Sequence, residues 1–206
     1  MAWHGVWSNG TEAGSWPASY REENAEIIAS FFLNEGWTID AICAMLGNMQ
    51  YESYLNPAQW QVGFSIYGGG FGLVQWTPYT KFSDWAGSVW KTNYNMQLYR
   101  IQHEMDAGEQ WIPLAAYDNL SFYDWSRQTV NDYSLEWLVN AFFSCYERGT
   151  DSEYRRIYAR QWYQYFQGVA PPPWDPDDPP GPGPDPGPGG RYIPIWLLFK
   201  IKEANK

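Results

Sequence analysis

The chain has 206 residues, 45% of them hydrophobic, with 14 Trp, 16 Tyr, 10 Phe and a formal net charge of −10. That length holds one domain of ordinary size with room for a tail. The acidic balance argues against a nucleic-acid partner, whose binding needs Lys and Arg to neutralise phosphates, and against charge-driven docking on an anionic membrane or wall. The aromatics exceed what one small core hides completely, so some are expected to line a groove and the rest to fill the core.

Residues 1–20 read as an irregular arm that packs on the domain. Their opening, MAWHGVWSNGTEAGSW, has neither a basic n-region nor an apolar h-region, so no signal peptide is expected. Asn24 to Asn34 reads as a helix with Ile27, Ile28, Phe31 and Phe32 on one face and a stop at Gly36. Thr38 is an N-cap for a second helix with Asp40 in its first turn. Ile42, Met45, Leu46 and Met49 recur at helical spacing. Glu52 follows at the edge of that stripe, near the helix C-terminus. Partial burial and the negative end of the helix dipole both disfavour its anion there. A carboxyl kept protonated near neutral pH is what a glycosidase uses as general acid. The alternative is a helix-end Glu that bends out to solvent or pairs with an Arg.

Asn56-Pro57 is expected to end that helix. Residues 58–76, rich in Gly, aromatics and β-branched residues, predict a short irregular β-hairpin. Pro78 is expected at the first position of a third helix, and Asn95 to Ala107 reads as a fourth. Residues 109–133 are mixed. Ser134 caps a helix carrying Leu135, Leu138, Val139, Phe142, Phe143 and Tyr146. Thr150-Asp151-Ser152-Glu153 reads as a capping box for the last helix, which carries Tyr154, Ile157, Tyr158, Trp162 and Tyr165 and stops at Gly168. Residues 169–190 are a Pro/Gly/Asp-rich linker; as polyproline II, at roughly 3.1 Å per residue, it would reach on the order of 60 Å. Residues 191–206 are apolar but too short to span a bilayer. They are read as a peptide that docks on a partner, with a weakly sticky tail as the alternative.

The fold class is therefore mostly α with one small β excursion. Cys43 and Cys145 are expected as buried free thiols, a single bridge between them being left open. His4 and His103 sit in no nucleophile context, and no H-E-x-x-H or phosphate-binding Gly loop is present. No metal or cofactor is expected, and carboxylate chemistry at Glu52 remains.

The segments Gly47-Asn48-Met49-Gln50-Tyr51-Glu52-Ser53, Asn56-Pro57 and Gly70-Phe71-Gly72-Leu73-Val74-Gln75-Trp76 closely resemble the phage tail lysozyme family, and Tyr146-Glu147-Arg148 resembles its C-terminal helix signature. The likeness covers about residues 21–168. More distantly, Glu52-Ser53 and Gly72-Leu73-Val74-Gln75 resemble goose-type lysozymes and soluble lytic transglycosylases. The resemblance implies a lysozyme-like α+β domain over 21–168 that cleaves the MurNAc–GlcNAc β-1,4 bond of bacterial peptidoglycan. It implies Glu52 as the catalytic Glu, with Ser53, Gly70, Phe71, Gly72, Gln75 and Trp76 beside the substrate. It also implies a place in the virion, with residues 191–206 meeting a phage tail protein. A non-catalytic glycan-binding module, or a transglycosylase or endolysin of the same fold, is the alternative. From Ser53 to Thr80 there is no Asp or Glu, so a nearby retaining nucleophile is missing. Attack by water, assistance from the substrate, or a distant carboxylate (Glu104, Asp106 or Glu147) stay open, with Glu147 read first as a structural residue paired to Arg148, Arg155 or Arg156.

Overall fold

The computed structural model describes residues 2–8, 16–65 and 67–174. The expected docking segment, the linker from 175 onward and, of the arm, residues 1 and 9–15 lie outside the described residues. The described chain is mostly helical: α1 Ala18–Asn34, α2 Ile39–Ser53, α3 Thr80–Ala86, α4 Asn95–Asp106, α5 Phe122–Trp125, α6 Leu135–Phe142 and α7 Glu153–Gly168. Among the described residues, no helix is long and apolar enough to cross a membrane.

The domain is built around α2. Thr38 caps it, its side chain accepting from the Ala41 amide, and Asp40 lies in the first turn. The expected one-sided stripe is too narrow a description, because residues 40–50 are all buried. A helix covered all round must satisfy its polar side chains internally. Asp40 accepts from the Val130 amide at 2.8 Å, and the Asn48 amide donates to the Ala44 and Val139 carbonyls at 3.0 and 3.2 Å. Helix α7 makes the most extensive contact with α2. Gly47 permits it: a Cβ there would lie 2.5 Å from the Arg155 carbonyl oxygen and 2.6 Å from the Ala159 Cβ. Glycine inside a helix costs roughly 0.5–1 kcal/mol relative to Ala, a cost offset here by close helix packing.

Helix α2 stops before Pro57, at Tyr54 and Leu55, both left-handed (φ 56° and 60°). The β-hairpin expected over 58–76 is not formed. Among the described residues of this stretch the pairing is limited to isolated bridges, Gln59 with Ser8, Trp60 with Phe71 and Phe71 with Trp76. Backbone pairs join Gln61 to Gly70, Gly72 to Gln59 and Phe71 to Trp76, and glutamine side chains satisfy neighbouring backbone groups. The Gly70 amide donates to Gln61 Oε1, the Leu73 amide to Gln97 Oε1, and Gln75 Nε2 to the Gln59 and Gly72 carbonyls. Left-handed backbone at Gly63, Tyr67, Gly72 and Gln75 breaks the extended run further.

Three other helix starts differ from expectation, the first being α1, which begins at Ala18 inside the expected irregular arm and not at Asn24. The Thr77–Pro78 peptide is cis and α3 begins at Thr80, so Pro78 is not its first residue. Ser152, not Thr150, caps α7, and Glu153 bonds Arg156 and Arg160 instead of closing a capping box. On α7 the buried residues are Arg155, Ala159 and Trp162, while Tyr154 is exposed. Helix α6 continues into a π-helical turn, Phe143–Glu147. Cys43 and Cys145 are free and buried. The arm is pinned where described: Trp3 is buried and its indole donates to Asn95. The first part of the expected linker lies on the domain, where Trp174 meets Phe31 edge to face.

Candidate active site

Where α2 runs out of the core it opens on a cavity of about 660 Å³. One wall is the end of α2, with Tyr51 and Glu52. The facing wall is the Gln61–Lys81 region, with Gln61, Val74, Gln75, Trp76 and Lys81; the floor is the π-helical turn and the loop after it, with Tyr146, Glu147 and Thr150, and Arg155 from α7. Clefts of this size hold small ligands or short stretches of a polymer.

Glu52 keeps 20% of its side-chain exposure, and an Arg155 guanidinium nitrogen donates to its Oε1. Arg155 itself is 1% exposed. Its other contacts fix the guanidinium: it donates to Asn48 Oδ1 at 3.1 Å and the Thr150 carbonyl at 3.3 Å, and lies over the Tyr51 and Phe143 rings at 4.4 and 4.8 Å. The structure therefore shows the alternative expected for a helix-end Glu, pairing with an Arg. The carboxyl that burial pushes well above the usual carboxylate range is Glu147. The nearby Glu52 charge raises it further and Arg155 opposes. Glu147 Oε1 is buried without a hydrogen-bond partner, as is Arg155 Nε. Of the other cations expected near Glu147, Arg148 donates to the Gln110 and Cys145 carbonyls and Arg156 binds Asp151 and Glu153.

Beneath the floor, Glu104 is almost wholly buried and accepts from Tyr146 Oη, from Trp76 Nε1 at 3.1 Å and from Arg100 Nε at 3.0 Å. Burial raises its carboxyl, and the Tyr146 hydrogen bond is the first of the contacts that pull it back. One carboxylate thus ties together two of the side chains that line the cavity.

Of the residues singled out from sequence, Glu52, Gln75 and Trp76 line the cavity together. Ser53, Gly70, Phe71 and Gly72 do not. The Ser53 hydroxyl lies 2.9 and 3.0 Å from the Met49 and Leu73 carbonyls, tying the helix end to the opposite wall. Phe71 is in the core. A Cβ at Gly70 would meet Thr77 Oγ1 at 2.7 Å, and one at Gly72 would meet Gln97 Oε1 at 2.5 Å. These residues pack the wall against protein.

The family model for phage tail lysozyme matches residues 23–166. The chain belongs to that family. It is also similar to morphogenesis protein 1 of Bacillus phage B103, with 39% identity over 150 residues, which is 70% of this chain and 40% of that relative. Within this lysozyme domain the glycines and Gln75 were legible as a motif, but the pairing of Arg155 with Glu52 was not, because the two lie 103 positions apart and Arg155 was read beside Glu147. Gly47 was the available signal: a glycine in an otherwise strong helical pattern marks a close neighbour.

Proposed function

We propose that this domain cuts bacterial peptidoglycan at the MurNAc–GlcNAc β-1,4 bond, with Glu52 giving a proton to the leaving glycosidic oxygen. The observation that carries the reading is the position of Glu52 at the end of a buried helix, opening on a 660 Å³ cavity and facing Gln75 and Trp76. Membership of the phage tail lysozyme family supports the substrate class. Gln75 and Trp76 are the protein's substrate-facing groups on the far wall; Ser53, Gly70, Phe71 and Gly72 shape that wall from behind.

Site of action follows as part of the same reading. The enzyme is carried on a phage tail, and residues 191–206 attach it to a tail protein. Tethering delivers an acidic enzyme to an anionic wall without a basic surface. Deletion of 191–206 is expected to leave cleavage intact and abolish assembly; unchanged assembly and solubility would remove the docking role.

Glu52→Gln is expected to keep the fold and lose clearing of purified peptidoglycan by about 10²–10⁴-fold. Full clearing by that variant refutes the assignment. One observation favours a second reading, a glycan-binding module without turnover: the Glu52 carboxyl is already engaged by the buried Arg155 guanidinium. Zymography separates the two, since a binder leaves no cleared band. Mass spectrometry of the products separates hydrolysis, which leaves a reducing end, from transglycosylation, which leaves an anhydro end.

A further inference from the structure

The cleft holds two carboxyls and one buried guanidinium, and two of their polar atoms are unused. Arg155 donates to Glu52 through one terminal nitrogen while its Nε, a buried donor, has no acceptor. Glu147 Oε1, a buried acceptor in the same cavity wall, has no donor. These vacancies are complementary. An ionised Glu147 turned onto Arg155 Nε would fill both, and would share with Glu52 the charge of one guanidinium.

We infer that Glu52 and Glu147 share one proton across Arg155, and that Glu147 accepts the proton of the attacking water. The inference rests on the glycosidase reading above and completes it, because it explains how a carboxyl beside an arginine still acts as an acid. In the arrangement seen, Glu52 is the carboxyl on Arg155 and Glu147 is the carboxyl without a hydrogen-bond donor; the cycle starts with the shared proton on Glu147. Transfer of that proton to Glu52 leaves Glu147 ionised and paired to Arg155. Glu52 then gives its proton to the glycosidic oxygen as the C1–O bond breaks. The oxygen of water bonds to C1 and its proton passes to Glu147. The cycle returns to the arrangement seen, with one water consumed and two hydroxyl-bearing ends formed.

The remaining charges act consistently. Besides Glu52 and Arg155, Glu147 feels Glu104 behind Tyr146, which favours the neutral form, and Arg148, which favours the anion. Lys81 lines the same cavity from the opposite wall. Two carboxylates against one buried cation in a half-dry cleft are costly, so one proton is retained and the pair titrates as a unit.

The test counts that proton directly. Carboxyl-¹³C NMR titration of the wild-type protein is expected to show one cleft glutamate protonated near neutral pH, with Glu52→Gln lowering the Glu147 midpoint. Independent titration of both in the ordinary carboxylate range, with no response to Glu52→Gln, overturns the inference without any activity measurement. In turnover, folded Glu147→Gln is expected to lose about 10²–10⁴-fold and one limb of the pH–rate profile, and azide or formate is expected to restore part of the activity of Glu147→Ala. Wild-type rate and profile in Glu147→Gln overturn the inference while leaving Glu52 as acid untouched. Clearing by Glu52→Gln would instead remove the underlying reading, whatever Glu147 does.

Discussion

Gly47→Ala sets helix propensity against packing at the contact that positions Arg155. In an exposed helix the change stabilises by about 0.8–1.0 kcal/mol. Here the new Cβ would lie 2.5 Å from the Arg155 carbonyl oxygen, 2.6 Å from the Ala159 Cβ and 2.7 Å from the Ala159 nitrogen. Optimal carbon contacts are about 3.5–4.0 Å, so α7 must retreat by about 1 Å. Two of the three obstacles are backbone atoms, which places the cost in the upper part of the roughly 1–3 kcal/mol seen for overpacking. The net expectation is about 1–2 kcal/mol of destabilisation. For a protein of this size that lowers Tm by roughly 2–8 °C. Clearing should fall at 25 °C too, where the variant is still folded, because the retreat carries Arg155 away from Glu52. Thermal unfolding followed by circular dichroism, paired with turbidity loss on purified peptidoglycan, measures both. A rise in Tm would show that α7 yields freely and that Gly47 does not set the cleft.

Glu147 also couples stability to pH. Its folded-state carboxyl is held above the value of about 4.3 that it has when unfolded. Between those values the folded state binds the extra proton, so its contribution is complete below the unfolded value and is lost as pH rises through the folded one. Glu104 acts in the same direction. Denaturant unfolding at several pH values should therefore show Glu147→Gln with a shallower decline towards alkaline pH than wild type; an equal slope contradicts the buried-acid assignment. Tyr146→Phe removes one donor from Glu104 while Trp76 and Arg100 remain. The expected loss is about 1–3 kcal/mol by urea titration, the cost of an unmet buried acceptor; a neutral effect would mean that solvent replaces the phenol and that the cavity floor is not dry.

Much of the helical framework was legible because its signals are local. The Thr38 cap, the α2 stripe and the Ser134 cap each depend on residues within a turn or two. The β excursion was misread for a related reason. Gly, aromatics and β-branched residues report extended backbone, but not whether neighbouring strands will supply its hydrogen bonds. Here backbone pairing is confined to short bridges, and Gln61 and Gln75 from within the loop, with Gln97 from α4, satisfy groups beside them. Helix α7 shows the opposite effect. Its aromatics suggested the buried face, yet its tight approach at Gly47 turns Arg155 and Ala159 inward and leaves Tyr154 exposed.

From the sequence alone came the helical class, the family motif and the carboxyl at position 52, all written within short stretches of chain. The tertiary structure alone decided what surrounds that carboxyl. Arg155 and Glu147 reach it from α7 and from the π-helical turn, about a hundred residues further on. Their electrostatic effect depends on distance and burial, and neither exists until the core has closed around α2.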